Sequence, residues 1–352
     1  MPLKNSLNRI EAVWKDQEAS HLDALLIENP IDLFYLTQLH LSAGSLLIFE
    51  KGAYLFLDGR YLEYAKTIDQ TYFEVKEQSA LKSALLSFSH IGFDQQWTSY
   101  GRWQTLKGSR VESLIPLKAP VQRVRAVKDA HELELLQRSA KLNWRGFEHI
   151  KSSLREGATE KELSKQFELF CLENGAEKMA FDPIIAFGKN SAYPHYRGGL
   201  ATLQPGDSII CDVGVVVGGY HSDMTRTLFW KEPDPLLLKV EEAVHVAYQQ
   251  ALKRCHIGVE VGSLDDVVRE VMKERGLDPY LVHSLGHGVG LDIHEYPRIR
   301  SQGEDHFVKL QENMVITIEP GLYLPGVGGY RFENTLVITQ DGPMNFYPEE
   351  DA

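Results

Sequence analysis

The stretch from Cys211 to Asp223 constrains this chain more than any other. Two β-rich arms flank Gly218-Gly219, and a glycine pair between such arms is the chemistry of a two-residue hairpin turn. Side chains alternate across a strand, so the pairing register decides which residues share a face. Pairing Val217 with Tyr220 sets Gly214 opposite Asp223 and Thr225 opposite Asp212. The carboxylates of Asp212 and Asp223 then become diagonal neighbours on one face. Two acids that close repel, and one of them holds its proton more tightly unless a cation lies between them. The arrangement predicts an acid/base dyad or a metal site. A solvated hairpin face is the alternative, because acidic residues are common beside glycine-rich turns.

A histidine-rich segment strengthens the chemical reading. His283, His287 and His294 fall within twelve residues that also hold Gly286, Gly288 and Gly290. Glycine lets a backbone turn sharply or approach a ligand, and neutral imidazole is both a metal ligand and a proton carrier near neutral pH. Beyond it, Glu319 follows the apolar run Val315 to Ile318, and Glu333 follows Phe332. An ionised carboxylate in apolar surroundings is costly, so both glutamates call for a compensating cation. Asp212, Asp223, His287, Glu319 and Glu333 together place four carboxylates and one imidazole in one candidate site. Two divalent ions would neutralise that charge. Oxygen-rich ligation without thiolate favours Mn²⁺, Co²⁺ or Fe²⁺ and allows Zn²⁺. Such a pair can activate a water at neutral pH and polarise a carbonyl, the two needs of amide hydrolysis.

The apolar runs at 24–27, 45–49 and 54–57 read as strands, with helical patterns at 60–66 and 80–88, so the first part of the chain reads as a small α/β unit. The segment Ile115 to Pro120 reads as a break in regular structure, and it sets the expected division into residues 1–120 and 121–352. An amphipathic helix pattern runs from Asp129 to Arg155, and further helices are expected at 159–174 and 234–253. With strands expected at 208–217, 220–229, 314–319 and 331–339, the second part is an α+β domain.

Composition excludes several function classes. The chain has 352 residues, 43% hydrophobic and 24% charged, the proportions of a globular protein. Its 37 basic against 49 acidic residues give a formal charge of -12, which repels phosphate backbones, so no nucleic-acid partner is expected. No apolar run is long enough to cross a bilayer, and residues 1–17 lack the apolar core of a secretion signal. The three cysteines, Cys171, Cys211 and Cys255, form no CxxC spacing. They suggest neither a disulfide framework nor a thiolate zinc site, and they fit a reducing cytoplasm.

The motifs resemble those of the pita-bread metallopeptidases, in the proline-specific branch that includes prolidase (Xaa-Pro dipeptidase) and aminopeptidase P. In family order stand Phe181 to Ile185, Asn190 to His195, Asp212-Val213-Gly214, Ser222 to Thr227, His287 to Leu291, Ile318 to Gly321 and Arg331 to Asn334. Asp58 to Tyr61 resembles the family's smaller N-terminal domain, so the likeness spans almost the whole chain. It implies a creatinase-like α/β domain ahead of a pita-bread catalytic domain. It also implies that Asp212 chelates one metal, that His287 and Glu319 ligate the other, and that Asp223 and Glu333 bridge both, with Mn²⁺ or Co²⁺ favoured. His195, His283, His294 and Arg331 then line the substrate pocket.

The reaction so implied is attack of an activated water on the carbonyl before proline, in small peptides with proline in second position. Glu319 shuttles the proton, His294 stabilises the oxyanion, and His195 contacts the peptide backbone or the leaving nitrogen. Tyr193, Tyr196 and Tyr323 supply an apolar wall or simple packing. Departures from the family pattern, Tyr196 after His195 and Asn334 after Glu333, touch no expected ligand. The resemblance also implies a homodimer. The leading reading is a dipeptidase, with aminopeptidase P as its alternative. A metal-free amidinohydrolase and an inactive binding protein of the same fold are disfavoured because all five ligand residues are present, and a methionine aminopeptidase by the extra N-terminal domain.

Overall fold

The structure, a computed structural model, describes residues 3–17, 21–66, 73–108 and 112–348. The chain divides into two compact units, Met1–Arg125 and Ala126–Ala352.

The first unit is built on one mixed sheet. Its strands are β1 (Ala24–Ile27), β2 (Ser45–Phe49), β3 (Gly52–Leu57), β4 (Glu74–Glu77), β5 (His90–Asp94) and β6 (Ser113–Leu117), in the order β4-β3-β2-β1-β5-β6. The central strand β1, Ala-Leu-Leu-Ile, is buried at every position, as a strand covered on both faces should be. The helix Pro30–Thr37 starts where Asn29 accepts the Ile31 N–H and Pro30 occupies the first turn. The helices expected at 60–66 and 80–88 are shorter, Leu62–Ala65 and Leu81–Leu85, because so few of their residues are buried to hold them. The expected break at Ile115 to Leu117 is instead part of β6, paired parallel with β5. Pro116 is tolerated because β6 is an edge strand, where a missing N–H breaks no ladder.

The second unit consists of two helix pairs laid on antiparallel sheets. Helix Ala130–Ser152 opens on a capping box, Asp129 accepting from the His131 and Glu132 N–H groups while Glu132 reaches back to the Asp129 N–H. It packs with helix Glu160–Glu173, and Phe147, Phe167 and Cys171 meet Ile209, Cys211 and Val213 of the sheet beneath. Helices Pro235–Arg254 and Gly262–Glu274 form the second pair, burying Val244, Val268 and Met272 against Ile316, Ile318 and Leu336. Each such fully buried side chain stabilises the fold by ~2 kcal/mol.

The strands beneath the first pair are β7 (Lys178–Met179), β8 (Ile184–Phe187), β9 (Ser208–Val213), β10 (Val215–Val217), β11 (Tyr220–His221) and β12 (Met224–Phe229). The second half contributes β13 (Gly286–Gly288), β14 (Glu295–Ile299), β15 (Val315–Ile318), β16 (Gly321–Leu324), β17 (Gly328–Arg331), β18 (Asn334–Thr339) and β19 (Gly342–Asn345). The sheets run β12-β9-β8, β11-β10-β7, β14-β13-β15-β18-β19 and β16-β17. The sequence pattern predicts neither helix Gly262–Glu274 nor the short strands β13, β14 and β16.

The hairpin register is the predicted one on either side of Gly214, Val217 pairing with Tyr220 and Asp212 with Thr225. Gly218 and Gly219 sit at φ 59° and 79°, the left-handed conformations a tight hairpin turn demands. The arms are not continuous, however. Gly214 separates β9 from β10, and Ser222-Asp223 separate β11 from β12. A Cβ on Gly214 would lie 2.2 Å from the Ser222 carbonyl oxygen, so the arms cross closer there than any side chain permits. Past this point β9 and β12 join β8, whereas β10 and β11 join β7. The strand expected from Arg331 to Thr339 is likewise divided. Arg331 ends β17, Asn334 begins β18, and Glu333 lies at the junction of two sheets.

Among the described residues, no helix is long and apolar enough to cross a membrane.

Candidate metal centre

The hairpin half supplies Asp212, inside β9, and Asp223, just before β12. The other half supplies His287 from β13, Glu319 at the end of β15, and Glu333 between β17 and β18. Hydrogen bonds stitch the halves together at this place; among them, the Glu333 N–H donates to the Thr225 carbonyl (3.1 Å), and the hydroxyls of Thr335 (2.8 Å) and Tyr347 (2.9 Å) donate to the Asp223 carbonyl.

Asp223, His287 and Glu333 are buried, and each offers a ligand atom within 4.8 Å of the others. His287 Nε2 lies 3.5 Å from Asp223 Oδ2 and 3.6 Å from Glu319 Oε1. Its Nδ1–H donates to the Gly288 carbonyl at 3.0 Å, so the Nε2 lone pair faces the acids, the orientation of a metal ligand. Burial, and after it the neighbouring His294, lowers the His287 pKa to about 3, and the ring is neutral at physiological pH.

The acids show what the site lacks in positive charge. Burial, then the charges of Glu333, Asp212 and Glu319, pushes Asp223 well above the usual carboxylate range. Burial and Glu333 do the same to Glu319, and burial and Asp212 push Glu333 up to about 8. Carboxylates this crowded ionise together only around a cation. Asp212 adds a second sign, since its Oδ1 is buried without a hydrogen-bond partner. Oxygen donors with one neutral imidazole fit a divalent metal ion.

A chain of polar contacts lies behind the acids. The Arg331 guanidinium donates to Asp212 through Nη2, to the Tyr323 hydroxyl through Nη1 (2.5 Å) and to Thr225 Oγ1 through Nε (3.0 Å). The Thr225 hydroxyl in turn donates to Glu333 Oε2 at 2.7 Å. His283 donates through Nδ1 to the Ser284 carbonyl (2.8 Å), so its Nε2 accepts from the Tyr323 hydroxyl (2.9 Å). Burial, then the Arg331 charge, lowers His283 to about 4, which keeps it an acceptor.

The acids open into a cavity of about 990 Å³ lined also by His195, His283, His294 and Arg331. His195 and His294 are exposed on its wall. The His294 ring stands edge-on to His287 at 4.4 Å between centroids, and partial desolvation inside the cavity lowers its pKa although the residue meets solvent. All nine residues singled out for chemistry in the sequence therefore face one cavity. Of the two roles expected for the tyrosines, apolar wall or simple packing, neither describes all three. Tyr193 is 63% exposed, and Tyr323 is a buried hydrogen-bonding link between Arg331 and His283; neither lines the cavity. Apolar lining comes from Met179, Phe181, Ile184 and Ile293, with Tyr196 alone of the three tyrosines.

Sequence reasoning passed over Thr227, whose hydroxyl donates to the Arg331 carbonyl (2.8 Å), and Arg226. The Arg226 side chain is 2% exposed, donates to the Glu333 carbonyl (2.7 Å) and to Asn334 (2.8 Å), and lies over the Phe332 ring. Their signal was present: Asp223, Thr225 and Thr227 recur at the two-residue period of one strand face, with Arg226 on the other.

The sequence matches metallopeptidase family M24 over residues 134–340 and the creatinase/prolidase N-terminal domain over residues 9–127. A Xaa-Pro dipeptidase of Pyrococcus furiosus is 32% identical over 339 residues, covering 95% of this chain and 96% of that protein. The crystal structure of the prolidase from Pyrococcus horikoshii superposes with a TM-score of 0.90 at 30% identity, over 97% of this chain and 99% of the other. An X-Pro aminopeptidase from Thermotoga maritima gives a TM-score of 0.83 at 31% identity, over 96% and 99%. A buried cluster of acids around a neutral imidazole, in a chain matched along nearly its full length by such enzymes, identifies this protein as a member of metallopeptidase family M24 that carries a creatinase/prolidase N-terminal domain.

Proposed function

We propose that this protein is a dinuclear metal-dependent exopeptidase that hydrolyses the Xaa-Pro bond of dipeptides. One observation carries the reading: four carboxylates and a neutral imidazole converge at one wall of a cavity large enough for a peptide. Asp212, Asp223, Glu319 and Glu333 against the Arg331 guanidinium leave three negative charges. One divalent ion would leave one of them uncancelled, whereas two would offset all three with a single positive charge in excess. In this reading Asp212 would hold one ion, His287 and Glu319 would hold the other, and Asp223 and Glu333 would serve both, with Mn²⁺ or Co²⁺ preferred by the oxygen-rich donors.

When bound, the metal supplies Lewis acidity and an activated water. The remaining work falls to the chain. Glu319, at the cavity end of β15, takes up the proton released in the attack and returns it to the leaving nitrogen. His294, a neutral ring on the cavity wall, donates to the developing oxyanion. His195 contacts the peptide backbone or the proline nitrogen. Arg331, fixed by Asp212, Tyr323 and Thr225, keeps Asp212 in place at the pocket wall and holds Tyr323 in position to orient His283.

A second reading, an aminopeptidase acting on longer Xaa-Pro peptides, is favoured by the cavity volume, which stands near the upper end of the roughly 300–1,000 Å³ usual for ligand pockets, and by the likeness to the Thermotoga enzyme. A homodimer and a cytoplasmic location complete the proposal; the first rests on the family resemblance and the second on three free cysteines. Matched Xaa-Pro and Xaa-Pro-Yaa peptides incubated with metal-stripped enzyme, before and after Mn²⁺, Co²⁺ or Zn²⁺ is restored, test all of this by mass spectrometry. Metal-dependent cleavage of dipeptides alone supports the first reading and cleavage of the longer peptides the second. No cleavage under any metal rejects both.

A further inference from the structure

His195 lies in a segment, residues 193–201, that forms neither helix nor strand. Such a loop holds a side chain in place only if something else fixes its backbone. The first turn of helix Glu160–Glu173 does so. Backbone bonds run from the Glu160 N–H to the Ala201 carbonyl (3.2 Å) and from the Lys161 N–H to the Gly199 carbonyl (3.0 Å), and Thr159 bridges to Thr202.

The side chain of Glu160 goes further. It is fully buried, and its carboxylate accepts four hydrogen bonds. Oε1 takes the Phe187 N–H and Asn190 Nδ2, both at 2.9 Å; Oε2 takes the Tyr196 hydroxyl and the Gly199 N–H, again both at 2.9 Å. A carboxylate has about four acceptor sites, so this one is saturated. Two of its donors, Tyr196 and Gly199, flank His195 on its C-terminal side, and Asn190, which also donates to the Tyr196 hydroxyl at 2.9 Å, approaches from the N-terminal side. Burial, with the carboxylate beside it, pushes the Tyr196 hydroxyl up to about 12, so that it remains a donor.

We propose that Glu160 is a positioning residue for the peptidase reaction, holding the 193–201 loop so that His195 faces bound substrate. The inference rests on the role given to His195 above. Both carboxylate oxygens face a backbone N–H, from Phe187 and from Gly199. A glutamine therefore cannot substitute in either orientation, because its amide nitrogen would oppose one of those donors.

The test is a double-mutant cycle in the metal-loaded enzyme, with Glu160→Gln, His195→Ala and the pair assayed on one Xaa-Pro peptide. Glu160→Gln should lower kcat/KM by about 10- to 100-fold, mainly through kcat, as expected for a displaced contact group. Bound metal should stay at the wild-type level, and amide exchange should quicken across 193–201. In the His195→Ala background the same change should cost less than about threefold, because a group that acts through His195 has nothing left to position. Equal losses in both backgrounds, or full activity in Glu160→Gln, would overturn the proposal. Should Glu160→Gln fail to fold, Tyr196→Phe, which removes one of the four bonds, enters the same cycle with a smaller expected loss and the same criterion. If His195→Ala alone is as active as wild type, the role of His195 falls and this proposal with it. If His195→Ala is impaired but the cycle is additive, only the role of Glu160 is lost.

Discussion

Removing the Thr225 hydroxyl measures how strongly the acids are held in place. Thr225 is fully buried, and its Oγ1 both donates to Glu333 Oε2 at 2.7 Å and accepts from Arg331 Nε at 3.0 Å. Thr225→Val keeps the shape and leaves a carboxylate and a guanidinium each one partner short. A hydrogen bond to a charged group contributes about 1.5–3 kcal/mol. Arg331 keeps Asp212 and Tyr323 as partners, so the lower end applies on that side and the combined loss is about 3–4.5 kcal/mol. At roughly 2–4 °C per kcal/mol for a unit of this size, the melting transition should fall by about 6–18 °C. Thr225→Ser is the control, since it keeps the hydroxyl and loses one methyl, worth about 1 kcal/mol. The protein has two compact units, so the assay follows the calorimetric transition that moves when divalent metal is added. Isothermal titration of the stripped protein should show weaker metal binding for the valine variant alone. Valine and serine variants melting within about 2 °C of each other, with equal metal affinity, would refute the reasoning that this hydroxyl ties Arg331 to Glu333.

Asp223→Asn should reduce the metal bound per chain, because an amide brings no negative charge to a site whose acids already repel one another; elemental analysis showing wild-type content would sink its assignment as a ligand. His294→Ala should keep its metal and lose about 10²-fold in kcat, and unchanged turnover would remove this ring from the reaction. Cys171, Cys211 and Cys255 are buried, and burial pushes each thiol up to about 12. At pH 8 an ordinary thiol near 8.5 is partly thiolate, whereas these stay protonated. A chromogenic disulfide reagent should therefore label none of the three in the native protein and all three in denaturant; stoichiometric labelling of the native state would contradict the burial.

The parts of the site legible in the sequence were those governed by local rules. The Gly218-Gly219 turn and the two-residue strand period suffice to bring Asp212 beside Asp223 and Thr225 opposite Asp212, and both are observed. The helix beginning at Ala130 could be read from its amphipathic pattern and the acidic residues of its early turns. Other features depend on partners distant in sequence and leave no local pattern. Glu160 reads as an ordinary first-turn acid, and only its contacts with residues 27 to 39 positions away reveal a buried anchor. Tyr323 reads as an apolar wall or simple packing because nothing nearby shows that Arg331 and His283 need its hydroxyl. Pro116 reads as a break because the sequence does not say that its strand lies at a sheet edge. The division of 331–339 at Glu333 is hidden for a related reason: two sheets meet there, and strand patterns carry no information about which sheet a residue joins.

The alternation of the hairpin gives the count of residues between Asp212 and Asp223 a meaning of its own. A residue gained in either arm would turn everything beyond it to the opposite face unless a bulge absorbed it, and Asp223 would leave the cavity with its chemistry intact but its address wrong. Single-residue insertions and deletions between these two acids are thus closed to drift in a way that most substitutions there are not. Descendants of this chain are free to change what stands between the two aspartates, within the limits set by packing, but not how much.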